Sequence, residues 1–182
     1  MATTTDKTPQ TPRVIGPGDS ETGQIGGIGV RFLLDTAQTG GGFALVEHPI
    51  PPRALGAPRH RHTHEDEYSY VLEGRVGVEL GGEILDSGPG DLILKPRGEW
   101  HAFWNAGDTP ARILEVISPG GFESYFAALS ALFVDGACPS PAALVALAAA
   151  TRSRPSPQLG SWHACSGACS PATRTTPTPN RH

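Results

Sequence analysis

The sequence predicts an all-β domain, a small barrel or sandwich of short antiparallel strands, followed by short helices. Apolar and polar residues alternate in several short segments, which is the period-2 pattern of a half-buried strand. The chain of 182 residues contains 23 glycines and 18 prolines, and these interrupt the segments at short intervals. Helical periodicity begins only after residue 120. The length is that of one domain.

The first predicted strands precede a segment rich in histidine. Residues 29–35 place Val30 and Phe32 on one face, and residues 43–50 form the second strand. His48 lies in this second strand. No partner lies near it at the spacing of metal ligands, so it is interpreted as an ordinary strand residue near a turn.

Further short strands follow the histidine-rich segment. Residues 75–80 alternate as a half-buried antiparallel strand does, and Gly81-Gly82 predicts a two-residue hairpin turn. The run Leu92-Ile93-Leu94 is interpreted as a short buried strand. The remaining predicted strands cover residues 68–72, 83–87, 100–105 and 111–118.

The chain divides into four predicted segments. Residues 1–24 are a polar, flexible lead-in, residues 25–120 form the β-barrel, and residues 121–150 form helices packed on it. Within the third segment, one helix is predicted over 121–133 and a second over 142–150. Residues 151–182 contain five prolines and no acidic residue, which predicts a disordered tail. This tail is either native or the product of a reading-frame slip.

Composition excludes several classes of function. Residues 1–150 contain all 18 acidic residues and 10 of the 14 basic ones, so nucleic acid is not the expected partner. No apolar run is long enough to span a membrane. The first residues have no apolar signal core, so a cytoplasmic location is expected. The three cysteines do not form a disulfide framework.

Three histidines and one carboxylate can converge on a single point. His60 and His62 lie on the same side of an extended strand, because side chains alternate with period 2. Glu67 lies at an odd offset from His62, so a bulge or tight bend across 63–66 must restore its facing. His101 lies later in the sequence, after a predicted hairpin and a further turn. Such a set suits one divalent metal ion, Fe, Mn, Ni, Co or Zn, whose identity stays open.

Two motifs around these residues resemble those of the cupin family. Residues 60–74 read His-x-His-x4-Glu-x6-Gly, and residues 90–105 read Gly-x5-Pro-x-Gly-x2-His-x3-Asn. One departure is Ala54, where the family has glycine. The resemblance implies a double-stranded β-helix, or jelly-roll, barrel with short C-terminal helices. It also implies that the metal ligands are His60, His62, Glu67 and His101.

A shifted register would use His62 and His64 instead. That pair also alternates correctly, but only two residues separate His64 from Glu67, which departs from the motif spacing. His64 is therefore expected to be exposed or to lie beside a ligand without being one.

Three neighbouring polar residues have secondary roles in this interpretation. Glu65 and Asp66 are expected to be solvated, although either could orient a ligand imidazole. Asn105 is expected to be a structural turn residue.

The resemblance also suggests an activity. Residues 65–74 are similar to those of the quercetin-dioxygenase-like group, whose members bind a flavonol or another enol on a metal ion and cleave it with O2. Glu67 would then be both ligand and catalytic proton acceptor. A metal-dependent isomerase or decarboxylase stays open, and a catalytic acid outside the four ligands would favour it. A non-enzymatic binding or sensor protein is the third alternative.

Strand parity suggests the walls of a substrate pocket. Phe103 shares the facing of His101, and Ser69 and Val71 share that of Glu67. Tyr68 and Tyr70 have the opposite parity and are expected to pack in the core. A small-molecule substrate is the expected partner, and a homodimer is expected because an exposed sheet edge needs cover.

Overall fold

The strands form two antiparallel sheets that share one core. The computed structural model of the protein describes residues 11–133, 139–140, 142–144, 146–147 and 158–159. The predicted all-β fold class is confirmed. In chain order, the elements are β1 (Thr22–Ile25), β2 (Ile28–Leu34), β3 (Ala44–Ile50), β4 (Leu55–Arg61), β5 (Asp66–Glu73), β6 (Val76–Leu80), β7 (Glu83–Ser87), β8 (Leu92–Lys95), β9 (His101–Asn105), β10 (Ala111–Ser118), α1 (Glu123–Ser130) and β11 (Gln158–Leu159).

The chain passes repeatedly from one sheet to the other. One sheet has six strands in the order β1-β2-β3-β10-β5-β8, and the other has five in the order β11-β4-β9-β6-β7. From β3 to β10 every connection except the β6–β7 hairpin changes sheet, which is the winding of a jelly roll. Residues close in sequence therefore face each other across the interior.

Period-2 alternation fills the space between the sheets. In β10 every second residue is buried, and Ile113 and Ile117 are fully enclosed. Val46 from β3 and Val78 from β6 contribute to the same apolar cluster from the two sheets. Burial of such side chains is the main stabilising term of a β-sandwich.

The interpretation of residues 92–94 as a buried strand is wrong. In β8, Leu92 is 62% exposed and Leu94 is 50% exposed, whereas Ile93 and Lys95 are buried. The strand is at the edge of the six-stranded sheet and alternates like the others, so its apolar run does not mean burial on both faces. Tyr70, which pairs with Leu92, is also exposed rather than packed in the core. Leu92 and Leu94 lie on the edge strand, and Tyr70 lies on the strand beside it. The homodimer stays a prediction.

One hairpin turn and one buried asparagine agree with the sequence prediction. Gly81 and Gly82 join β6 to β7 with positive φ angles of 57° and 92°, as a two-residue hairpin requires. Asn105 is buried, and its Nδ2 donates to the carbonyl oxygens of Ile50 and Thr109 at 3.0 and 2.8 Å. Its predicted structural role is confirmed by these bonds.

Helix α1 covers one end of the sandwich. Its buried residues are Glu123, Tyr125 and Leu129, and Ser130 Oγ accepts a bond of 2.9 Å from the Gln24 backbone. The second predicted helix lies only partly within the described residues, where 142–144 and 146–147 are helical.

The ends of the chain are described only in part. Of the predicted lead-in, residues 1–10 lie outside the described residues. Of the predicted tail, 151–182, only Gln158–Leu159 are described, and they pair with β4 at the edge of the five-stranded sheet. Within the described segments, no helix combines the length and apolarity needed to cross a membrane.

A close approach between β6 and β9 gives a test of the packing. Gly77 pairs with Trp104, and a Cβ added at Gly77 would lie 2.3 Å from the indole ring. We expect Gly77→Ala to lower the free energy of unfolding by about 2 kcal/mol, because overpacking forces the ring to move. Thermal unfolding followed by circular dichroism measures the change in Tm.

Gly88→Ala is the matched control for this substitution. Nothing lies within 4 Å of a Cβ added at Gly88, so its Tm should stay close to that of the parent protein. Equal Tm values for the two variants would contradict the described packing of Trp104.

Candidate metal centre

The four residues that the sequence predicts as metal ligands lie together in the interior of the sandwich. His60 comes from β4, His101 from β9 beside it, and Glu67 from β5 in the opposite sheet, while His62 follows the end of β4. One ligand atom from each residue lies within 4.8 Å of the others, and all four side chains are buried. The group could hold a metal ion.

The bend predicted between His62 and Glu67 lies where the chain crosses from one sheet to the other. Strand β4 ends at Arg61 and β5 begins at Asp66, so residues 62–65 carry the chain from one sheet to the other. The odd spacing of the two ligands therefore does not require a bulge. Each residue points inward from its own sheet, and Glu67 Oε1 lies 3.0 Å from His62 Nε2.

The backbone orients two of the imidazoles. His60 Nδ1 lies 2.7 Å from the Pro58 carbonyl oxygen, and His101 Nδ1 lies 3.1 Å from that of Glu99. A carbonyl oxygen can only accept, so each Nδ1 carries a proton, and the neutral form of each ring has its lone pair on Nε2, toward the cluster. This is the tautomer that a metal ligand needs.

Two buried imidazole nitrogens support the fit to a cation. Among the described residues, His62 Nε2 and His101 Nε2 make no hydrogen bond of good geometry, although each faces a Glu67 oxygen, at 3.0 and 3.4 Å. Buried polar atoms are normally satisfied, and a metal ion is one group that would satisfy these. Burial and the neighbouring His101 and His62 keep the pKa of His60 well below its usual value, so His60 is neutral.

Glu67 is held in its charged form. Burial alone would raise the pKa of its carboxyl, but the nearby His62 and Lys95 outweigh burial and keep that pKa well below the usual value. Glu67 Oε2 lies 2.7 Å from Lys95 Nζ and 3.4 Å from His101 Nε2. Both carboxylate oxygens are thus engaged within the cluster.

The residues between the ligands differ in environment. His64 is exposed, in agreement with the prediction. Glu65 is buried rather than solvated, and its Oε2 lies 4.0 Å from His62 Nδ1 because the turn folds it back over that ring. Asp66 pairs with Arg97 at 2.7 Å, and the Arg97 hydrogen bonds lower the pKa of Asp66 to about 2.

A second polar cluster lies beside the first, and sequence reasoning missed it. Lys95 bridges Glu67 and Glu115, and Ser69 Oγ donates to Glu115 Oε1 at 3.0 Å. His48 lies in β3 and outside the group of metal-type ligands, as predicted, but its Nε2 also lies 3.4 Å from Glu115 Oε2, a contact that the sequence did not indicate. All of these side chains are 1–2% exposed.

The second cluster is an ion network. Burial lowers the pKa of Lys95, but Glu115 and Glu67 outweigh burial and raise it. Burial and Glu67 act to raise the pKa of Glu115, yet Lys95 and His48 hold it below the usual value. Lys95 is therefore an ammonium between two carboxylates.

One pocket reaches both clusters. Its volume is about 100 Å³, and its polar lining comes from His48, His60, Glu67 and Glu115. The walls are apolar and aromatic and include Phe103, where the sequence predicts an aromatic wall. Ser69 and Val71, the other predicted wall residues, are buried but do not line this cavity. The remaining apolar lining is provided mainly by Ile25, Ile28, Leu55, Phe122, Tyr125, Phe126 and Leu129.

Known proteins are similar to this chain in sequence and in fold. Residues 47–117 match the cupin domain family. The polyketide synthase protein CurC of Streptomyces cyaneus is 30% identical over 108 residues, which cover 59% of this chain and 70% of that protein. Quercetin 2,3-dioxygenase of Bacillus subtilis is 27% identical over 120 residues, 65% of this chain but 34% of that enzyme.

A solved structure supports the same assignment at the level of the fold. The structure of KdgF from Halomonas sp. superposes with a TM-score of 0.55 at 22% identity and covers 63% of this chain and 99% of that one. The two sequence motifs, the jelly-roll winding and the relationship to CurC agree. The chain belongs to the cupin family.

Proposed function

We propose that the protein is a divalent-metal-dependent enzyme that acts on an apolar, enolisable small molecule. The observation that carries this proposal is a buried cluster of four metal-type ligands that opens into an apolar pocket. His60, His62, Glu67 and His101 would hold one metal ion. A sensor without catalysis would have no evident use for the buried acid beside that cluster.

The ligand set is suited to this task. Three imidazoles, each of which would be neutral when it ligates a metal, and one carboxylate leave coordination positions open for a substrate oxygen. A bound divalent ion would supply a Lewis acid that lowers the pKa of a coordinated hydroxyl or enol. The chain's own residues orient the ligands through backbone carbonyls and exclude water with apolar walls.

The first candidate reaction is cleavage of a flavonol-like or small enolic substrate with O2. The similarity to quercetin 2,3-dioxygenase and the aromatic walls at Phe103 and Phe122 support it. The proposed catalytic role of Glu67 as proton acceptor belongs to this candidate. Its engagement with Lys95 weighs against that role, because Glu67 Oε2 is already paired.

The second candidate is a non-oxidative proton-transfer reaction, as in an isomerase, decarboxylase or cyclase. Glu115 favours it, because this buried carboxylate lines the pocket and lies outside the four ligands. The similarity to the polyketide synthase protein CurC points to the same kind of substrate, since polyketides carry many enolisable carbonyl groups.

Replacement of one ligand tests the metal centre. We expect His62→Ala to lose the bound metal, because it removes one of four buried donors, whereas the exposed His64→Ala should retain it. Elemental analysis of protein purified without chelators gives the metal per chain. One equivalent in His62→Ala would contradict the ligand assignment.

Oxygen dependence separates the two reactions. The metal-loaded protein is mixed with quercetin, a flavonol, and O2 uptake is followed with an electrode while substrate loss is followed by absorbance. Equimolar O2 uptake and quercetin loss would support the dioxygenase. No uptake would leave the non-oxidative reaction, and a protein that binds no metal under any condition would contradict the proposed function.

A further inference from the structure

A polar stripe crosses the inner face of the six-stranded sheet. It runs over four adjacent strands, from His48 on β3 through Glu115 on β10 and Ser69 on β5 to Lys95 on β8. The pairing register places Glu115 opposite Ser69, and Lys95 opposite Glu67. The stripe therefore connects Glu67 of the ligand cluster, through Lys95, to His48 in the pocket lining.

The stability of the fold does not explain this stripe. Desolvation of buried charges costs several kcal/mol per ion, and apolar replacements of buried ion pairs are often neutral or stabilising. Neighbouring positions on the same face hold Val46, Ile113 and Ile117, so an apolar interior fits here. A network that the core does not need, and two of whose members, His48 and Glu115, line a pocket, indicates a chemical use.

The two oxygens of Glu115 have different environments. Oε1 accepts from Ser69 Oγ and pairs with Lys95 Nζ, which fixes the carboxylate. Oε2 lies 3.4 Å from His48 Nε2, a longer and weaker contact. Oε2 is the less constrained oxygen and can take a proton from a substrate in the pocket.

The ring of His48 faces two acceptors. Its Nδ1 lies 3.0 Å from the Gly29 carbonyl oxygen, and its Nε2 faces Glu115. The Gly29 carbonyl oxygen can only accept, so Nδ1 carries a proton, and Nε2 is the ring nitrogen that can exchange a proton with Glu115 Oε2. Glu115 is the charged group that faces this ring, and Phe126 packs against its edge at 5.4 Å between centroids.

We infer that Glu115 and His48 are a proton-transfer pair that acts on a carbon atom of the substrate, a role that rests on the proposed function. The substrate class is an aryl ketone with a hydrogen on the carbon next to its carbonyl group, because aromatic side chains such as Phe103 and Phe122 line the pocket. The C–H bond breaks, its proton goes to Glu115 Oε2, and the electron pair forms the C=C bond of the enolate as the carbonyl π pair moves to oxygen. His48 exchanges the proton with Glu115, and the reverse step returns a proton to carbon.

Lys95 is a positioning residue in this arrangement. Its ammonium pairs with Glu67 and with Glu115 and so holds the two carboxylates at fixed positions in the same interior. Ser69 assists by fixing the rotation of Glu115. The metal-type ligands and the proton-transfer pair are thus electrically coupled but separate in position.

Deuterium incorporation tests the pair. The metal-loaded full chain is incubated in D2O without O2 with α-tetralone, an aryl ketone, and deuteration at the carbon next to the carbonyl is followed by NMR. We expect the parent protein to catalyse the exchange and Glu115→Gln to be slower by about 100-fold or more. His48→Gln should be slower by about tenfold or more, because the proton then lacks its relay.

Further variants control for folding. Glu47→Gln makes the same change on β3, beside His48 in sequence but paired with Arg31 and Arg112 rather than with the stripe, and it should exchange at the parent rate. Glu115→Asp retains a carboxylate at a shorter reach, and an intermediate rate is expected. Metal content and Tm are measured for every variant.

A spectroscopic measurement is independent of turnover. Nitrogen-15 NMR of the His48 ring should show Nδ1 protonated in both proteins, and the Nε2 signal should shift in Glu115→Gln because its partner changes. Parent-like exchange in Glu115→Gln with metal retained would overturn the inference and leave the proposed function intact. A parent protein that binds metal and consumes O2 with quercetin, but exchanges no deuterium, would overturn the inference in favour of the dioxygenase. Absence of bound metal would instead contradict the proposed function.

Discussion

The buried Lys95 ammonium is the interaction on which the interior depends. It lies between two carboxylates, Glu67 at 2.7 Å and Glu115, and all three side chains are buried. Either carboxylate alone, buried without a partner, would take up a proton rather than stay charged. Together with His62 beside Glu67 and His48 beside Glu115, this one cation keeps a metal-type ligand and a pocket acid charged, so the two carboxylates are electrostatically coupled.

Strand geometry makes this arrangement available without a change in the fold. Alternate residues of β5, β8 and β10 point inward, and Glu67, Lys95 and Glu115 are among them. Most other inward positions on the same strands hold isoleucine or valine. The winding between sheets then places His60 and His101 opposite Glu67. The same pattern that builds the core brings the ligands together.

The parts that sequence could predict are those whose determinants are local. The Gly81-Gly82 turn follows from adjacent residues, and the ligand cluster follows from two compact motifs. The stripe was missed because Lys95 and Glu115 meet only through the pairing of β8 and β10 with β5, which no local pattern reveals. A signal did exist, since Lys95 shares the inward parity of Ile93. The apolar run at residues 92–94 obscured it by suggesting burial on both faces.

The pocket has two chemically different sides, and this asymmetry bears on the reaction. Neutral imidazoles such as His60 favour binding of a substrate oxygen through a metal ion, while Glu115 and His48 offer a place for a proton. An O2-dependent cleavage needs the first side only. Enolisation needs both, because charge develops on oxygen as a proton leaves carbon. Since burying Glu115 and Lys95 costs free energy that apolar residues would not, the structure fits proton transfer at carbon better than cleavage by O2 alone.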